Sequence, residues 1–540
     1  MHTHLLAKTA LTATALAAIP LAAEPLEVTG INAIKHFEVP VHRSMAGISV
    51  TTPLATHRGF NDAANAGDIY LTVISPQETG DATNNAKARL YRYDTAGSLT
   101  SAVYDASVDF TNTHHQPSLG LDQDGRVHLA VGQHNGSDNR ARWNHYRSHA
   151  VGDLSQGFRW SNHANGNPDA SYGLDNFRPT YAVMQQLSTG ELVMTNRQEI
   201  DRNNFASRPG GTGLGMQVYN TTTGDWVMKG NHVEALPTTG ERVFASNWNT
   251  KTIAYTPYAA RDEFNFGTNQ DDPAFWYQSW RSSTSTDADG RIHVAFPVYD
   301  GRRFPYASHV GYMVSDDGGQ TFKTADGTVI TDPLTLKTGI NGPFNPEFGF
   351  VAESVGLRSF NGTYDPTAGL LATVHVSSLP DGTPIVGAIY ARGGSFNAND
   401  QEHRLYIYDK DANSWIEQQP LSSSDWLLQK NANYIALLDG SIAFVYDDSI
   451  HRSTDLGLTW EHFEIPGLDH DIQQVQMMWD RSYSLDNLGV RFVTTGGDNG
   501  TGDNIAQVWT VDFEAIPEPT TLSLLAMSIF VVIRRQQRDA

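Results

Sequence analysis

The chain runs to 540 residues, with a formal net charge of -22 at pH 7 and no cysteine. That charge excludes nucleic acid and anionic membrane surfaces as main partners, and without cysteine an exported chain must rest on its core or on bound metal. Hydrophobic residues make up 39% and aromatic ones 10%, and 47 glycines, 11 tryptophans and 21 tyrosines point to many strands and turns rather than long helices.

Residues 1–23 open with a short polar start holding Lys8, continue in an Ala/Leu-rich run and end on the small pair Ala22-Ala23. This is the layout of a secretory signal peptide and marks an exported protein. Residues 24–515 form the body, which shows no sustained helical periodicity and reads as all-β.

The body repeats itself. Asp122-Gln-Asp-Gly-Arg-Val-His-Leu-Ala-Val and Asp287-Ala-Asp-Gly-Arg-Ile-His-Val-Ala-Phe are near copies, each a glycine-closed turn followed by an apolar strand. Weaker copies begin at Gly67, Gly190, Gly382, Gly440 and Gly489, giving seven units. Their glycines are separated by 58, 65, 100, 92, 58 and 49 residues, so long inserts are expected in the third, fourth or fifth unit. Two further segments, Ser315 to Phe322 and Ser453 to Trp460, fit S-x-D-x-G-x-T-[WF]. They resemble the Asp-box, or BNR repeat, in which Asp317 and Asp455 would bind the backbone of a hairpin turn and the terminal aromatic would pack between blades. The expected fold is a seven-bladed β-propeller of four-stranded antiparallel blades, a closed form that leaves few exposed strand edges.

Chemistry-bearing residues cluster in two consecutive units. His114 precedes one strand and His134 follows the next, so a hairpin would return both to one edge. Tyr181 and Arg197 bracket the following unit in the same way. His128 and its counterpart His293 lie inside the strand repeat and are expected to be packed or hydrogen-bonded core residues. His145 and His149 have the spacing of a helical metal pair, but in a strand that spacing is roughly 13 Å, and no carboxylate cluster completes a ligand set.

The C-terminal segment, residues 516–540, reads Ile516-Pro-Glu-Pro, then an apolar stretch from Leu522 to Ile533, then Arg534, Arg535 and Arg538. The apolar stretch is short for a spanning helix, which needs about 20 residues, and the basic end fits retention on the cytoplasmic side. Motif, stretch and basic end in this order resemble the PEP-CTERM sorting signal. The resemblance implies recognition and cutting by an exosortase, transient inner-membrane anchoring, and a secreted or cell-surface product.

The pattern His114-x-x-Pro117, His128, His134, Thr180-Tyr181 and Arg197 resembles the BNR-4 group of seven-bladed propellers and is especially similar to the propeller ulvan lyases, over roughly residues 40 to 500. His115 adjoins His114, and the placement of Pro117 selects His114 as the aligned residue. The resemblance implies a polysaccharide lyase that cuts a uronate-containing acidic glycan by β-elimination. His114 and Tyr181 would be its acid and base, and His134 and Arg197 would hold the uronate carboxylate. It suggests His115, Tyr258, Arg303 and His309 as substrate-binding residues. No cofactor is implied for catalysis, and a structural Ca2+ or Zn2+ is allowed. Two other readings use the same scaffold, a glycoside hydrolase resembling α-L-rhamnosidases and a non-catalytic surface glycan-binding propeller. A sialidase fits less well, because the Arg178 segment lies mid-chain.

Overall fold

The computed structural model describes residues 25–42, 52–76, 86–108, 117–132, 143–160, 179–199, 212–232, 251–255, 275–277, 282–300, 307–330, 334–335, 353–357, 370–391, 401–418, 434–446, 448–468, 478–480, 483–496 and 504–515. They form seven four-stranded antiparallel blades of a β-propeller. From inner to outer strand, blade 1 is Leu54–Thr56, Ile69–Ser75, Ala86–Tyr93 and Leu99–Val108, and blade 2 is Ser118–Leu121, Val127–Gly132, Trp143–Ser148 and Phe158–Trp160. Blade 3 is Pro179–Gln186, Leu192–Glu199, Thr212–Asn220 and Asp225–Met228, and blade 4 is Ser283–Thr286, Ile292–Asp300, Ala307–Ser315 and Phe322–Lys323. Blade 5 is Leu370–Ser378, Pro384–Ala391, Gln401–Asp409 and Ser414–Gln418, and blade 6 is Ile435–Ala436, Ile442–Tyr446, Ser449–Ser453 and Glu461–Glu464.

Blade 7 joins the two ends of the body. Its inner three strands are Met478–Trp479, Gly489–Gly496 and Asn504–Ala515, and its outer strand is Val28–Val41, paired from Val28↔Ala515 to Val41↔Asn504. The ring is therefore closed by backbone hydrogen bonds rather than by a disulfide. Additional short strands, such as Ala254–Tyr255 and Glu353–Leu357, fall between the third and fifth blades, where the repeat spacing called for inserts.

Each blade boundary is sealed by an apolar cluster with members from both sides, for example Leu214, Met216, Ile292 and Val294 between blades 3 and 4. Near the axis there is little room for side chains, and the inner strands carry small hydroxyl residues that bind across the boundary. Ser283 Oγ accepts the Val376 N–H at 2.9 Å and Ser377 Oγ accepts that of Ala436 at 3.0 Å, while Thr52, just before the inner strand of blade 1, reaches past blade 2 to accept the Met184 N–H of blade 3 at 2.9 Å. Satisfying buried backbone donors in this way fixes the inner strands without a large core.

The near-copy repeats form a recurrent staple. Asp122 accepts the N–H groups of Asp124 and Arg126 through Oδ1, at 3.0 and 2.9 Å, and His128 Nε2 through Oδ2 at 3.0 Å. Asp287 does the same with Asp289, Arg291 and His293, and the Tyr312 hydroxyl meets His293 Nδ1 at 2.7 Å. A carboxylate only accepts, so Nε2 carries the proton in both histidines and the Tyr312 hydroxyl donates to Nδ1. Burial keeps both rings below the ordinary histidine range, whereas each aspartate, despite burial, is held low by these donors. Gly125 and Gly290 close the two turns at φ 79° and 80°, a region costly for other residues.

Gly67, Gly190, Gly382 and Gly440 also have positive φ, but Gly489 does not act as a turn residue. It begins the second strand of blade 7, and the connection before it holds a helical turn, Tyr483–Asp486. The two Asp-boxes behave as expected. Asp317 accepts from Gln320 N, Thr321 N and Thr321 Oγ1, and Asp455 accepts from Thr459 N and Oγ1. Trp460 packs on Phe444 at 4.8 Å between ring centroids, beside Leu405 and Ile407 of the preceding blade.

Candidate active site

Antiparallel order gives the propeller two faces. The glycine turns and Asp-boxes, which join first to second and third to outer strands, lie on one, the turn face. Connections from second to third strand and from blade to blade run on the other, the loop face. At the turn face the channel is spanned by Arg58. Its Nε and Nη2 donate to both Asp486 oxygens, at 2.8 and 3.0 Å, and its Nη1 donates to the Leu187 carbonyl at 3.2 Å, linking blades 7, 1 and 3.

His114, His115, His134, Tyr258 and Arg303 lie outside the described residues. The described strand ends on either side of them all belong to the loop face. His114 and His115 fall between Val108 and Ser118, His134 follows Gly132, Arg303 falls between Asp300 and Ala307, and Tyr258 follows Tyr255, which pairs with Gly213. His309 is paired with Val298 in the backbone near the loop-face end of blade 4.

Tyr181 and Arg197 are both on described strands. Thr180 pairs with Arg197 and Pro179 with Gln198, after which the register slips and resumes at Val183↔Thr195. Tyr181 and Ala182 thus oppose the single residue Asn196 in a β-bulge, and Tyr181 adopts a left-handed backbone with φ 54°. A non-glycine residue enters that region at a cost of about 1–2 kcal/mol, and bulges of this kind re-aim side chains at functional sites. The Tyr181 ring is 2% exposed, clustered with Ala130 of blade 2 and Met194 and Trp226 of blade 3. Tyr181 falls inside Pro179–Gln186 and Arg197 inside Leu192–Glu199, rather than before and after their strands as the sequence suggested, and the burial and strained backbone of Tyr181 had no sequence signal.

Blades 2 and 3 approach closely beneath these positions. A Cβ on Gly120 would stand 2.5 Å from Leu192 Cδ1 and 2.9 Å from Met184 Cβ, so only glycine fits. Gln186 Nε2 also donates to the Asp122 carbonyl at 3.1 Å. The hairpin bracketed by His114 and His134 and the one bracketed by Tyr181 and Arg197 are therefore rigidly adjacent.

His145 is buried within blade 2, and burial drops its pKa to about 3, while His149 is exposed beyond the strand end, so the two do not form a metal pair. Among the described residues no group of three or more His, Asp or Glu is placed to hold a metal ion. One polar cluster gave no sequence signal. Asp480 and Arg491 of blade 7 both bind the Thr56 hydroxyl of blade 1, and Arg491 lies 4.2 Å from the Tyr483 ring centroid.

The fold has solved relatives at low sequence identity. An ulvan lyase of polysaccharide lyase family PL25 superposes with a TM-score of 0.55 at 11% identity, covering 88% of this chain and 95% of its own. The same enzyme type bound to -[GlcA(1-4)Rha3S]- gives 0.53 at 10% identity, covering 90% and 94%, and the polysaccharide lyase Uly1 gives 0.54 at 11%, covering 89% and 99%. No curated protein matches the chain in sequence. The BNR_4 family, described as BNR repeat-containing, matches residues 79–423, and with more than half of its length matched the chain belongs to that family.

Proposed function

We propose that the protein is an exported polysaccharide lyase that cleaves an acidic, uronate-containing glycan of the ulvan type by β-elimination. One observation carries the reading, the bulge that sets Tyr181 in a left-handed backbone beside the Thr180–Arg197 pair at the loop-face end of blade 3. The similarity of the fold to ulvan lyases supports the choice of reaction class.

In this reaction a base takes the C5 proton of a 4-linked uronate, the C4–O4 bond breaks with formation of the C4=C5 double bond, and an acid protonates the leaving O4. Tyr181 and His114 take the acid and base roles. Arg197 and His134 meet the carboxylate, on which charge develops, and one such preorganised donor is worth roughly 3 kcal/mol. His115, Tyr258, Arg303 and His309 line the approach to the glycan. The chemistry needs no cofactor, and any Ca2+ or Zn2+ would serve the fold. Residues 1–23 direct export, and residues 516–540 hold the protein at the inner membrane until an exosortase releases it.

Purified protein incubated with ulvan should release products absorbing in the ultraviolet, the signature of an unsaturated uronate. New reducing ends without that absorbance would instead mark a hydrolase. A second reading draws on the 2% exposure of Tyr181, a glycan-binding propeller without turnover. It requires binding of the glycan with no product.

A further inference from the structure

Resting on the membrane-anchoring role of residues 516–540, we infer that the propeller is held with its turn face toward the bilayer and its loop face, with the candidate active site, pointing away. The third strand of blade 7, Asn504–Ala515, runs from the loop face to the turn face, because Ala515 pairs with Val28 and Gly489, which follows the first turn of the blade, pairs with Asp512. The chain therefore leaves the body at the turn face.

Two lengths decide the orientation. The apolar stretch begins at Leu522, so only residues 516–521 separate it from Ala515. Fully extended, these span at most about 20 Å, whatever conformation they take. The strand ending at Ala515 is 12 residues long, which makes it roughly 36 Å from face to face. An inverted propeller, loop face on the lipid, would require the tether to cross the depth of the body, and it is too short.

The turn face exposes Asp153, Asp289, Asp316, Asp381 and Asp411, with Lys323 and Lys410 paired to Asp316 and Asp381, and an anionic lipid surface repels the unpaired carboxylates, so the tether must outweigh that repulsion. Among the described residues no helix is long and apolar enough to cross a membrane. On this reading residues 516–540 supply the attachment, and the acidic face stands off the lipid within reach of the tether. Glycan chains arriving from outside then meet the loop face unobstructed.

The absence of cysteine makes the test clean. The full chain would be bound to phosphatidylcholine–phosphatidylglycerol vesicles as single-cysteine variants, each carrying a fluorescent donor, with an acceptor on the lipid headgroups. Asp411→Cys and Asp289→Cys report the turn face, and Glu38→Cys reports the loop-face half of the outer strand of blade 7, all three being exposed. Glu38 sits on the blade that carries the tether, so lateral distance favours it. Several-fold stronger energy transfer from 411 and 289 than from 38 is expected. Equal or reversed transfer on vesicle-bound protein overturns the orientation alone, whereas failure of the full chain to float with vesicles overturns the anchoring role and the orientation with it.

Discussion

Thr180 and Arg197 face one another across the first two strands of blade 3, and the register slips immediately beyond them at Tyr181. The backbone register thereby sets Arg197 one residue from the bulge. Arg197→Ala should lower kcat on the acidic glycan by about 10²–10³, the scale for one lost oxyanion donor. Arg197→Lys should recover only part, because a point charge replaces a bidentate fork. Initial rates of ultraviolet absorbance measure both. An Arg197→Ala enzyme of normal kcat would remove Arg197 from the mechanism.

The aspartate–histidine staples make a separate claim about stability. Asp287→Asn keeps the acceptor for the turn but can turn an amide donor toward His293 Nε2–H and Arg291 Nε–H, leaving the buried His293 donor and the half-buried Arg291 donor opposed. A loss of about 2–4 kcal/mol is expected in urea unfolding. The exposed neighbour Asp289→Asn should stay within about 0.5 kcal/mol.

Acid should destabilise the fold before carboxylates titrate. Burial lowers His145 to about 3, and burial together with nearby His462 lowers His451 to about 4. Between the unfolded value near 6.5 and these folded values the unfolded chain binds more protons, so stability is full above about pH 6.5 and falls as pH drops, by up to ~1.4 kcal/mol per pH unit for each histidine. Calorimetry at pH 7.5 and 5.0 should show a lower Tm at pH 5.0. His451→Phe, replacing a ring stacked on Phe444 at 4.8 Å, should make the decline shallower.

Much of the scaffold was legible because its devices are local. An Asp, a turn glycine and a histidine within seven residues announce a staple, and an Asp-box announces a hairpin. Ring closure was not legible, since Val28–Val41 pairs with a strand more than 450 residues away and carries no signal of its own. The helical turn before Gly489 was hidden for the opposite reason, a short glycine match with Asp486 in place but Phe492 where the staple has its histidine. At the candidate site, the sequence set Tyr181 before one strand and Arg197 after the next, whereas both lie within their strands near the loop-face ends. The bulge and positive φ of Tyr181 were unreadable, because they arise from how Asn196 is opposed rather than from residue type. Arg58 and Asp486, separated by most of the chain, meet only after the ring closes.

Replacing one hydroxyl tests the central claim most directly. Tyr181→Phe preserves the ring within the blade 2–3 cluster, so circular dichroism, unfolding midpoint and glycan affinity should stay close to those of the parent. With ulvan as substrate, the rate of unsaturated-uronate formation should fall by about 10²–10⁴, the range for a lost acid or base. Undiminished formation of that product by Tyr181→Phe would contradict the account.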